Sequence, residues 1–333
     1  MEQRKHAAHS ANYQHTLQQS FTCVSRGLHT GLKIVMRVTP AEANSGIVFV
    51  RREVESRRAE IQASWRNVSD TRLSTTIANK YGVRVSTIEH LLAALYACGI
   101  DNARIILNGP EVPVMDGSAM PFVDLIKQSG KQRQNAERHA ILIKQAVSIS
   151  RAGKFAGFLP SPVPWLECEI DFEATPIGKQ TCSVPINEDV FEHELAQART
   201  FGFKEQIETL HKLGLAQGGS LQNAVLIDKD RVVNSEGLRY VDEFVRHKAI
   251  DAIGDLALLG MTFVGQFSSV RGGHELTNAL IHKLMANEHA WEFTTLARAK
   301  DYWRTILADQ YADKDLAREI VAKYEFLTNE TLY

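Results

Sequence analysis

The residues best suited to chemistry lie on one predicted helix, residues 244–259, which reads F-V-R-H-K-A-I-D-A-I-G-D-L-A-L-L. With about 3.6 residues per turn, His247, Asp251 and Asp255 fall on one side, and aliphatic residues form a separate stripe. A histidine and an aspartate one turn apart can both reach a single ion between them. The spacing indicates half of a metal site, although the solvated face of an ordinary amphipathic helix would look the same.

A second predicted helix, residues 86–98, carries further candidates: Glu89 stands directly before His90. Zinc hydrolases use three protein ligands and leave one position open, and His90 together with His247 and Asp251 would make such a set. The same helix also fits a capping box that begins at Ser86, in which the Glu89 carboxylate would only bond backbone amides. The local sequence leaves two interpretations of Glu89 open: a functional group beside a metal ligand, or a cap at the start of the helix.

The composition limits the class of protein. A length of 333 residues with 44% hydrophobic residues suits two globular domains. Lys and Arg total 38 against 39 Asp and Glu, so we expect neither nucleic acid nor an anionic membrane as a partner. The four cysteines lack C-x-x-C spacing, which predicts reduced thiols in a cytoplasmic protein. No apolar run reaches the roughly 18 residues of a membrane span, so we expect no membrane insertion.

Around these helices, both halves of the chain run as alternating strand-like segments followed by helices. This order predicts an α+β fold of two similar domains, each a small, mostly antiparallel sheet with helices, whose helix layers pack face to face. The predicted divisions are a flexible tail (1–12), domain I (13–130), a polar linker (131–138), domain II (139–298) and a helical C-terminal extension (299–333). His90 would come from domain I and His247 with Asp251 from domain II, which predicts a site at their junction.

Seven segments, in the same order across residues 13–291, closely resemble the UDP-3-O-acyl-N-acetylglucosamine deacetylases, the zinc enzymes that commit lipid A synthesis. They are S-T-I-E-H-L-L-A-A-L, G-I-D-N, P-E-V-P-V-M-D-G-S-A-M-P-F, A-R-T-F-G-F, E-G-L-R, D-E-F-V-R-H-K-A-I-D-A-I-G-D-L and G-G-H-E-L-T-N-A-L.

The resemblance implies a zinc ion, or iron(II) in the same site, held by His90, His247 and Asp251. It also implies roles for four catalytic residues. Glu89 would take a proton from the zinc-bound water, and His274 would stabilise developing negative charge or protonate the leaving amine. Asp255 would orient His274, and Thr200 would donate a hydrogen bond to the tetrahedral oxyanion.

Further residues are implied to bind substrate. Lys248 and Arg271 would meet the diphosphate, and Phe158 would stack on uracil, although a phenylalanine in a strand is more often core. Phe201 and His29 would line the sugar and the active-site wall, although a histidine in a glycine-bounded turn is often incidental. A βαβ-like insert at residues 204–234 would form the passage for the fatty acyl chain, with walls from Leu210, Leu213, Leu215 and Leu221.

The implied reaction is hydrolysis of the 2-acetamido group of a UDP-linked, 3-O-acylated glucosamine, with release of acetate, by a monomeric enzyme whose only partner is this small molecule. Two alternatives stay open. A metal-dependent amidase for another amide would keep the zinc ligands but lose the UDP and acyl preferences. A non-catalytic protein that binds nucleotide sugars or lipids would not need the catalytic residues.

The chain departs from the family pattern at a few positions. Gly272 stands where serine is common, and Glu275 stands where alanine is usual. A carboxylate at residue 275 could raise the pKa of His274 and move the pH optimum. A segment that often ends in Cys-Thr reads Ser74-Thr75 here, which leaves any accessory metal contact open. The residues after 296 are helix-prone and charged, and the sequence suggests no function for them.

Overall fold

The computed structural model describes residues 11–173 and 175–310. It confirms the predicted α+β class, since several small and mostly antiparallel sheets are packed with helices. The predicted tail (1–12) and the part of the C-terminal extension after residue 310 lie outside the described residues, apart from residues 11 and 12. In the described ranges, no helix combines the length and the apolar character needed to cross a bilayer.

From residue 11 onward, the first half of the chain shows two helices and a series of short strands. The strands are β1 (Tyr13–Leu17), β2 (Phe21–Arg26), β3 (Lys33–Pro40), β4 (Ile47–Arg51), β5 (Glu60–Gln62), β6 (Val68–Asp70), β7 (Thr76–Ala78), β8 (Arg84–Val85), β9 (Ala103–Leu107) and β10 (Lys131–Glu137). The helices are α1 (Glu89–Ala97) and α2 (Met120–Ser129), with single 3₁₀ turns at Ser56–Arg58 and Trp65–Asn67.

The second half repeats this mixture of elements. Its strands are β11 (His139–Ile143), β12 (Val147–Arg151), β13 (Lys154–Leu159), β14 (Trp165–Phe172), β15 (Gly178–Pro185), β16 (Phe201–Phe203), β17 (Val225–Asp228), β18 (Arg231–Val232), β19 (Thr262–Val264), β20 (Gln266–Val270) and β21 (Trp291–Thr295). Its longer helices are α3 (Lys204–Lys212), α4 (Glu243–Leu256), α5 (His274–Ala286) and α6 (Leu296–Gln310). Short helical turns occupy Glu188–Val190, Phe191–Leu195 and Ala257–Leu259.

The two five-stranded sheets have the same topology. Their strand orders are β2-β3-β9-β4-β5 and β12-β13-β20-β14-β15. In each sheet the central strand comes last along the chain, and it runs antiparallel to one neighbour and parallel to the other. This shared topology supports the prediction of two similar units, whose boundaries stay a prediction.

Helices α1 and α4 pack against each other at the centre of the molecule. A Cβ added at Gly254 of α4 would lie only 2.1 Å from the carbonyl oxygen of Glu89 on α1, so glycine is what allows this close approach. Both helices are buried almost all round, and the side of α4 that carries His247, Asp251 and Asp255 is buried as well. The solvated-face interpretation of this helix is therefore wrong.

Two local expectations are also wrong. The predicted linker (131–138) is mostly strand β10, which pairs antiparallel with β1 and ties the start of the first half to its end. Residues 69–77, whose threonine-rich sequence predicts one strand, instead form the ends of β6 and β7 with a loop between them. Leu73 turns this loop with a φ of 64°, a left-handed conformation that strand patterns do not reveal.

The predicted insert forms a small unit of its own. Strands β16 and β17 pair in parallel with α3 between them, and β18 returns antiparallel to β17. The chain therefore makes the expected βαβ connection in this region.

Candidate metal centre and active site

Three side chains meet at the junction of α1 and α4. His90 Nε2 lies 3.6 Å and His247 Nε2 lies 3.4 Å from Asp251 Oδ1. Two ligands about 2.0–2.1 Å from one tetrahedral zinc ion are separated by about 3.3 Å, so these spacings fit such an ion. All three side chains are buried, and their candidate ligand atoms lie within 4.8 Å of one another. The donor set and its geometry thus suit a metal with nitrogen and oxygen ligands.

The tautomer of His247 is fixed by the backbone. Its Nδ1 lies 3.0 Å from the carbonyl oxygen of Ala198, which can only accept, so Nδ1 carries the proton and Nε2 offers its lone pair to the centre. Burial lowers the pKa of His247 to about 3, although the charge of Asp251 opposes this effect. The imidazole is therefore neutral near neutral pH, as a metal ligand must be.

The carbonyl of Ala198 is held by a buried ion pair next to it. Arg199 is 2% exposed and its Nε donates to Glu243 Oε1 over 2.9 Å. The backbone amide of Arg199 donates to the same oxygen, also over 2.9 Å. Because Glu243 begins α4, this pair fixes the strand entering the site to the helix that carries two ligands. This role of Arg199 is not evident from the sequence, although A-R-T-F-G-F is among the matching segments.

The two carboxylate oxygens of Asp251 have different surroundings. Oδ1 faces the two histidines, whereas Oδ2 accepts a 2.6 Å hydrogen bond from Lys248 Nζ. Burial acts to raise the pKa of Asp251, but the charge of Lys248 brings it well below the usual value. Lys248 therefore keeps a candidate ligand ionised, a role beyond the phosphate contact that the resemblance implied.

Glu89 is buried next to the three candidate ligands. Its Oε2 accepts a 3.2 Å hydrogen bond from the amide of Thr75, whereas the amide of Ser86 donates to the carbonyl of Pro110. Helix α1 begins without a side-chain cap. The capping-box interpretation is therefore wrong, and the carboxylate is directed into the junction. Burial raises the pKa of Glu89, although His274 partly opposes this rise.

His274 and Asp255 form a second group beside the ligands. His274 Nδ1 lies 2.8 Å from Asp255 Oδ2, and its Nε2 lies 4.0 Å from Glu89 Oε1. Burial acts to lower the pKa of His274, but the charge and hydrogen bond of Asp255, with Glu89, raise it to about 9. The site thus brings a buried carboxylate and a protonated imidazole within 4.0 Å of each other.

A cavity adjoins these groups between β14, β20 and the helices. Its lining includes Lys248, Asp255 and His274, with Ser269 and Gly272 at the end of β20. The backbone at this end leads into the first turn of α5, where unpaired amides favour anions. The cavity therefore places a cation and a helix start beside the candidate metal centre.

Thr200 and Phe201 lie on the insert side of the junction. The amide of Thr200 donates to the carbonyl of Gly117 over 2.8 Å, which joins the P-E-V-P-V-M-D-G loop to the start of β16. The ring of Phe201 lies 6.4 Å from that of His247 and 5.9 Å from Lys248 Nζ. Phe201 therefore lies beside the candidate ligand His247, and Thr200 precedes it at the start of β16.

Two residues expected to bind substrate, Phe158 and Arg271, instead contact other residues of the protein. Phe158 is 0% exposed and makes edge-on contacts with Phe263 and Phe267, so it is a core residue and the uracil assignment is wrong. On the same strand, Phe155 is partly exposed and points to the other face. Arg271, at the end of β20, forms an ion pair with Asp171.

The suspected effect of Glu275 on His274 is also wrong. The Glu275 side chain is 80% exposed and lies 3.6 Å from Arg151. Although it follows His274 in sequence, the first turn of α5 directs the two side chains apart. The groups that raise the pKa of His274 are instead Asp255, Glu89 and Asp251.

His29 joins the turn between β2 and β3 to the insert. The amide of Ala216 lies 3.4 Å from His29 Nδ1, and the amide of Gln217 donates to the His29 carbonyl over 3.1 Å. Buried Glu111 holds this turn through the amides of His29 and Thr30, over 2.8 and 2.9 Å. His29 is therefore part of an interface, which argues against the incidental interpretation.

The leucines of the insert are unusually accessible. Helix α3 has no buried residue, and Leu213 at its end is 68% exposed. Leu210 and Leu215 are partly exposed, and Leu221 is 38% exposed. They are therefore not core residues, and they provide apolar surface on one side of the junction.

Comparison with known proteins gives consistent matches. The family model described as "LpxC: UDP-3-O-acyl N-acetylglycosamine deacetylase" matches residues 14–286. The UDP-3-O-acyl-N-acetylglucosamine deacetylase of Phenylobacterium zucineum (strain HLK1) is 46% identical over 285 residues, 86% of this chain and 97% of the relative. Proteins of the same name from Syntrophus aciditrophicus (strain SB) and Haemophilus influenzae (strain 86-028NP) are 39% and 44% identical, over 93% and 85% of this chain and 98% and 93% of theirs.

Proposed function

The chain belongs to the family of UDP-3-O-acyl-N-acetylglucosamine deacetylases, amide-hydrolysing enzymes of lipid A biosynthesis, and on this premise we propose how its residues carry out the reaction. The substrate is UDP-3-O-acyl-N-acetylglucosamine, and hydrolysis of its 2-acetamido group releases acetate. The observation that carries the proposal is the buried group of His90, His247 and Asp251, with Glu89 and His274 beside it.

We propose that these three ligands hold zinc, with iron(II) able to occupy the same site. The metal would supply Lewis-acid polarisation of the acetamide carbonyl and make water acidic enough to attack near neutral pH. Lys248 keeps Asp251 ionised through Oδ2, and the carbonyl of Ala198 keeps His247 in the ligating tautomer. The protein thereby provides a preorganised set of ligands.

Glu89 is the general base that takes a proton from the attacking water. Its carboxylate is buried beside the ligands, and burial raises its pKa, which makes it a stronger base. The hydrogen bond from the Thr75 amide to Oε2 leaves Oε1 facing His274. The base is thus held in one orientation.

His274 is the cationic partner on the other side of the reacting carbon. Its Nδ1 proton is bonded to Asp255, so Nε2 is the atom directed at Glu89 and the substrate. A protonated imidazole stabilises the oxyanion that forms at the carbonyl and can then give its proton to the departing amine. We assign Thr200 a further hydrogen bond to that oxyanion, since its neighbours Ala198 and Phe201 both contact His247.

The UDP group occupies the cavity beside α5. Lys248 and the amides of the first turn of α5 face the phosphates, and Arg271 exchanges its carboxylate partner for a phosphate. Phe155 replaces Phe158 as the aromatic surface for uracil, because Phe155 is the partly exposed phenylalanine of β13. Phe201 and His29 line the sugar between the cavity and the insert.

The acyl chain lies along the insert. Leu210, Leu213 and Leu215 leave apolar surface on α3 and after it that water would otherwise cover. Covering that surface with an alkyl chain stabilises the complex by about 25 cal/mol per Å² of buried area. We propose further that the enzyme acts as a cytoplasmic monomer, since one chain supplies every site residue and its four cysteines are free thiols.

The proposed substrate is tested by acetate release from purified enzyme. We expect release from UDP-3-O-acyl-N-acetylglucosamine and a much lower kcat/KM for UDP-N-acetylglucosamine, which lacks the acyl chain. Equal kcat/KM values for both would contradict the acyl passage. Release only from an unrelated acetamide would support an amidase of another specificity, and zinc binding without any release would support a binding protein.

A further inference from the structure

Thr75 joins two parts of the proposed active site that come from different halves of the chain. It lies in the loop between β6 and β7 and is 2% exposed. The left-handed turn at Leu73, whose side chain is 54% exposed, directs the next residues into the junction. Thr75 is thus in the interior although its loop begins at the surface.

Thr75 makes one hydrogen bond to each side of the junction. Its amide donates to Glu89 Oε2 over 3.2 Å. Its hydroxyl donates to Asp255 Oδ1 over 2.6 Å, across 180 residues of sequence. The other oxygen of Asp255 accepts from His274 Nδ1 over 2.8 Å, so Thr75, Asp255 and His274 form a continuous chain.

This arrangement fixes the Asp255 carboxylate from both oxygens. A buried carboxylate held on one oxygen alone can rotate about its χ2 bond, and His274 would then rotate with it. Thr75 also holds the Glu89 carboxylate, through its backbone amide. The separation of 4.0 Å between Glu89 Oε1 and His274 Nε2 therefore depends on where Thr75 lies.

We propose that Thr75 is a positioning residue that sets the geometry of the Asp255–His274 pair relative to Glu89, an inference that rests on the proposed function. Thr75 does not touch the reacting atoms; it acts through Asp255. The requirement is for a hydroxyl at this position, which serine meets and valine does not. The Ser74-Thr75 position, where an accessory metal contact was left open, thereby acquires a different role.

Thr75→Val tests this role because valine keeps the shape and the backbone amide but lacks the hydroxyl. We expect kcat to fall about ten- to hundred-fold, as for lost partners of catalytic groups, with KM unchanged. Thr75→Ser should recover most of kcat. The matched control is Thr76→Val, the same change at a neighbouring buried residue on β7, which should keep the wild-type kcat.

A second measurement does not depend on turnover. The His274 Nδ1 proton, bonded to a carboxylate, should give a low-field NMR signal that is identified by its loss in His274→Gln. We expect this signal to move in Thr75→Val and to stay in place in Thr76→Val. If the wild type released no acetate, the proposed function would fail while this signal still reported on the hydrogen-bond chain.

Three results would overturn the inference. The first is a wild-type kcat and an unmoved signal in Thr75→Val. The second is a loss of kcat in Thr75→Val that Thr75→Ser shares in full. The third is a loss that follows a lower metal content or a lower free energy of unfolding, because the role would then be structural.

Discussion

Among single side chains, Glu89 has the role that can be isolated most cleanly. Glu89→Gln removes the base but keeps the size of the side chain and leaves all three ligands in place. We expect kcat to fall about 10²- to 10⁴-fold, the usual contribution of a general base, with the metal content unchanged. Glu275→Gln is the matched control, since Glu275 is 80% exposed, and it should keep wild-type kcat. An active Glu89→Gln enzyme would remove Glu89 from the mechanism.

The His274–Asp255 pair predicts a pH dependence of stability in the metal-free protein. The pKa of His274 is raised from 6.5 to about 9 in the folded protein, so its protonated form stabilises the fold below about pH 6.5. This contribution is lost as the pH rises through about 9, and it amounts to about 3 kcal/mol.

The measurement is the free energy of unfolding of the wild type and of His274→Gln between pH 6 and 10. The difference between them should shrink as the pH rises. A difference that is constant with pH would mean that Asp255 does not hold the proton on His274.

Sequence reasoning succeeded for single residues where local spacing carries the information. His247 and Asp251 are one helical turn apart, so their convergence follows from the helix itself. Thr75 was not found because its hydroxyl meets Asp255 only through the tertiary fold. Phe158 was misassigned because one strand carries two phenylalanines on opposite faces, and only the packed sheet decides which is buried.

Among the helices and strands, the contact between α1 and α4 sets the relative positions of the proposed metal ligands. Gly254→Ala would place a methyl group 2.1 Å from the Glu89 carbonyl oxygen, which belongs to the backbone and cannot rotate away. We expect a loss of about 1–3 kcal/mol in the free energy of unfolding and weaker metal binding, because His90 would move away from Asp251.

The control for Gly254→Ala is Gly202→Ala, where no atom lies within 4 Å of the added methyl group. This variant should differ little from the wild type in unfolding and in metal affinity. If Gly254→Ala bound metal as tightly as Gly202→Ala, the close approach of the two helices would not be what positions the ligands.

For helix α3 and its C-terminal end, we predict that a substitution weakens substrate binding without lowering the free energy of unfolding. Leu213 is 68% exposed, so Leu213→Ser should change the free energy of unfolding by no more than about 0.5 kcal/mol. We expect KM for the acylated substrate to rise, because an apolar contact with the acyl chain is lost. Val241→Ser, at a residue that is 93% exposed, is the control and should leave KM unchanged. An unchanged KM in Leu213→Ser would place the acyl chain elsewhere.

Element boundaries were less accessible to sequence reasoning than element types. Helix α4 was expected from its residue pattern, and the βαβ insert was expected from the family resemblance. Strand β10 was missed because it is a polar partner of β1, with no alternation to reveal it. The loop before Thr75 was missed because a left-handed leucine gives no sequence signal.

For the molecule as a whole, the repeated sheet topology explains why the site lies where it does. Two similar sheets place their helices against each other, so α1 brings Glu89 and His90 to the same junction as α4. Neither half contains a complete set of ligands. The fold class was predictable because both halves show the same order of elements, whereas the identical strand order emerges only from the pairing.

The most direct test of this account is acetate release from UDP-3-O-acyl-N-acetylglucosamine by metal-free enzyme, before and after addition of one equivalent of zinc. The same measurement is made on His247→Ala, which lacks one ligand. We predict that zinc restores release in the wild type and not in His247→Ala. Release that survives removal of the metal, or that zinc restores equally in His247→Ala, would contradict a reaction that depends on His90, His247 and Asp251.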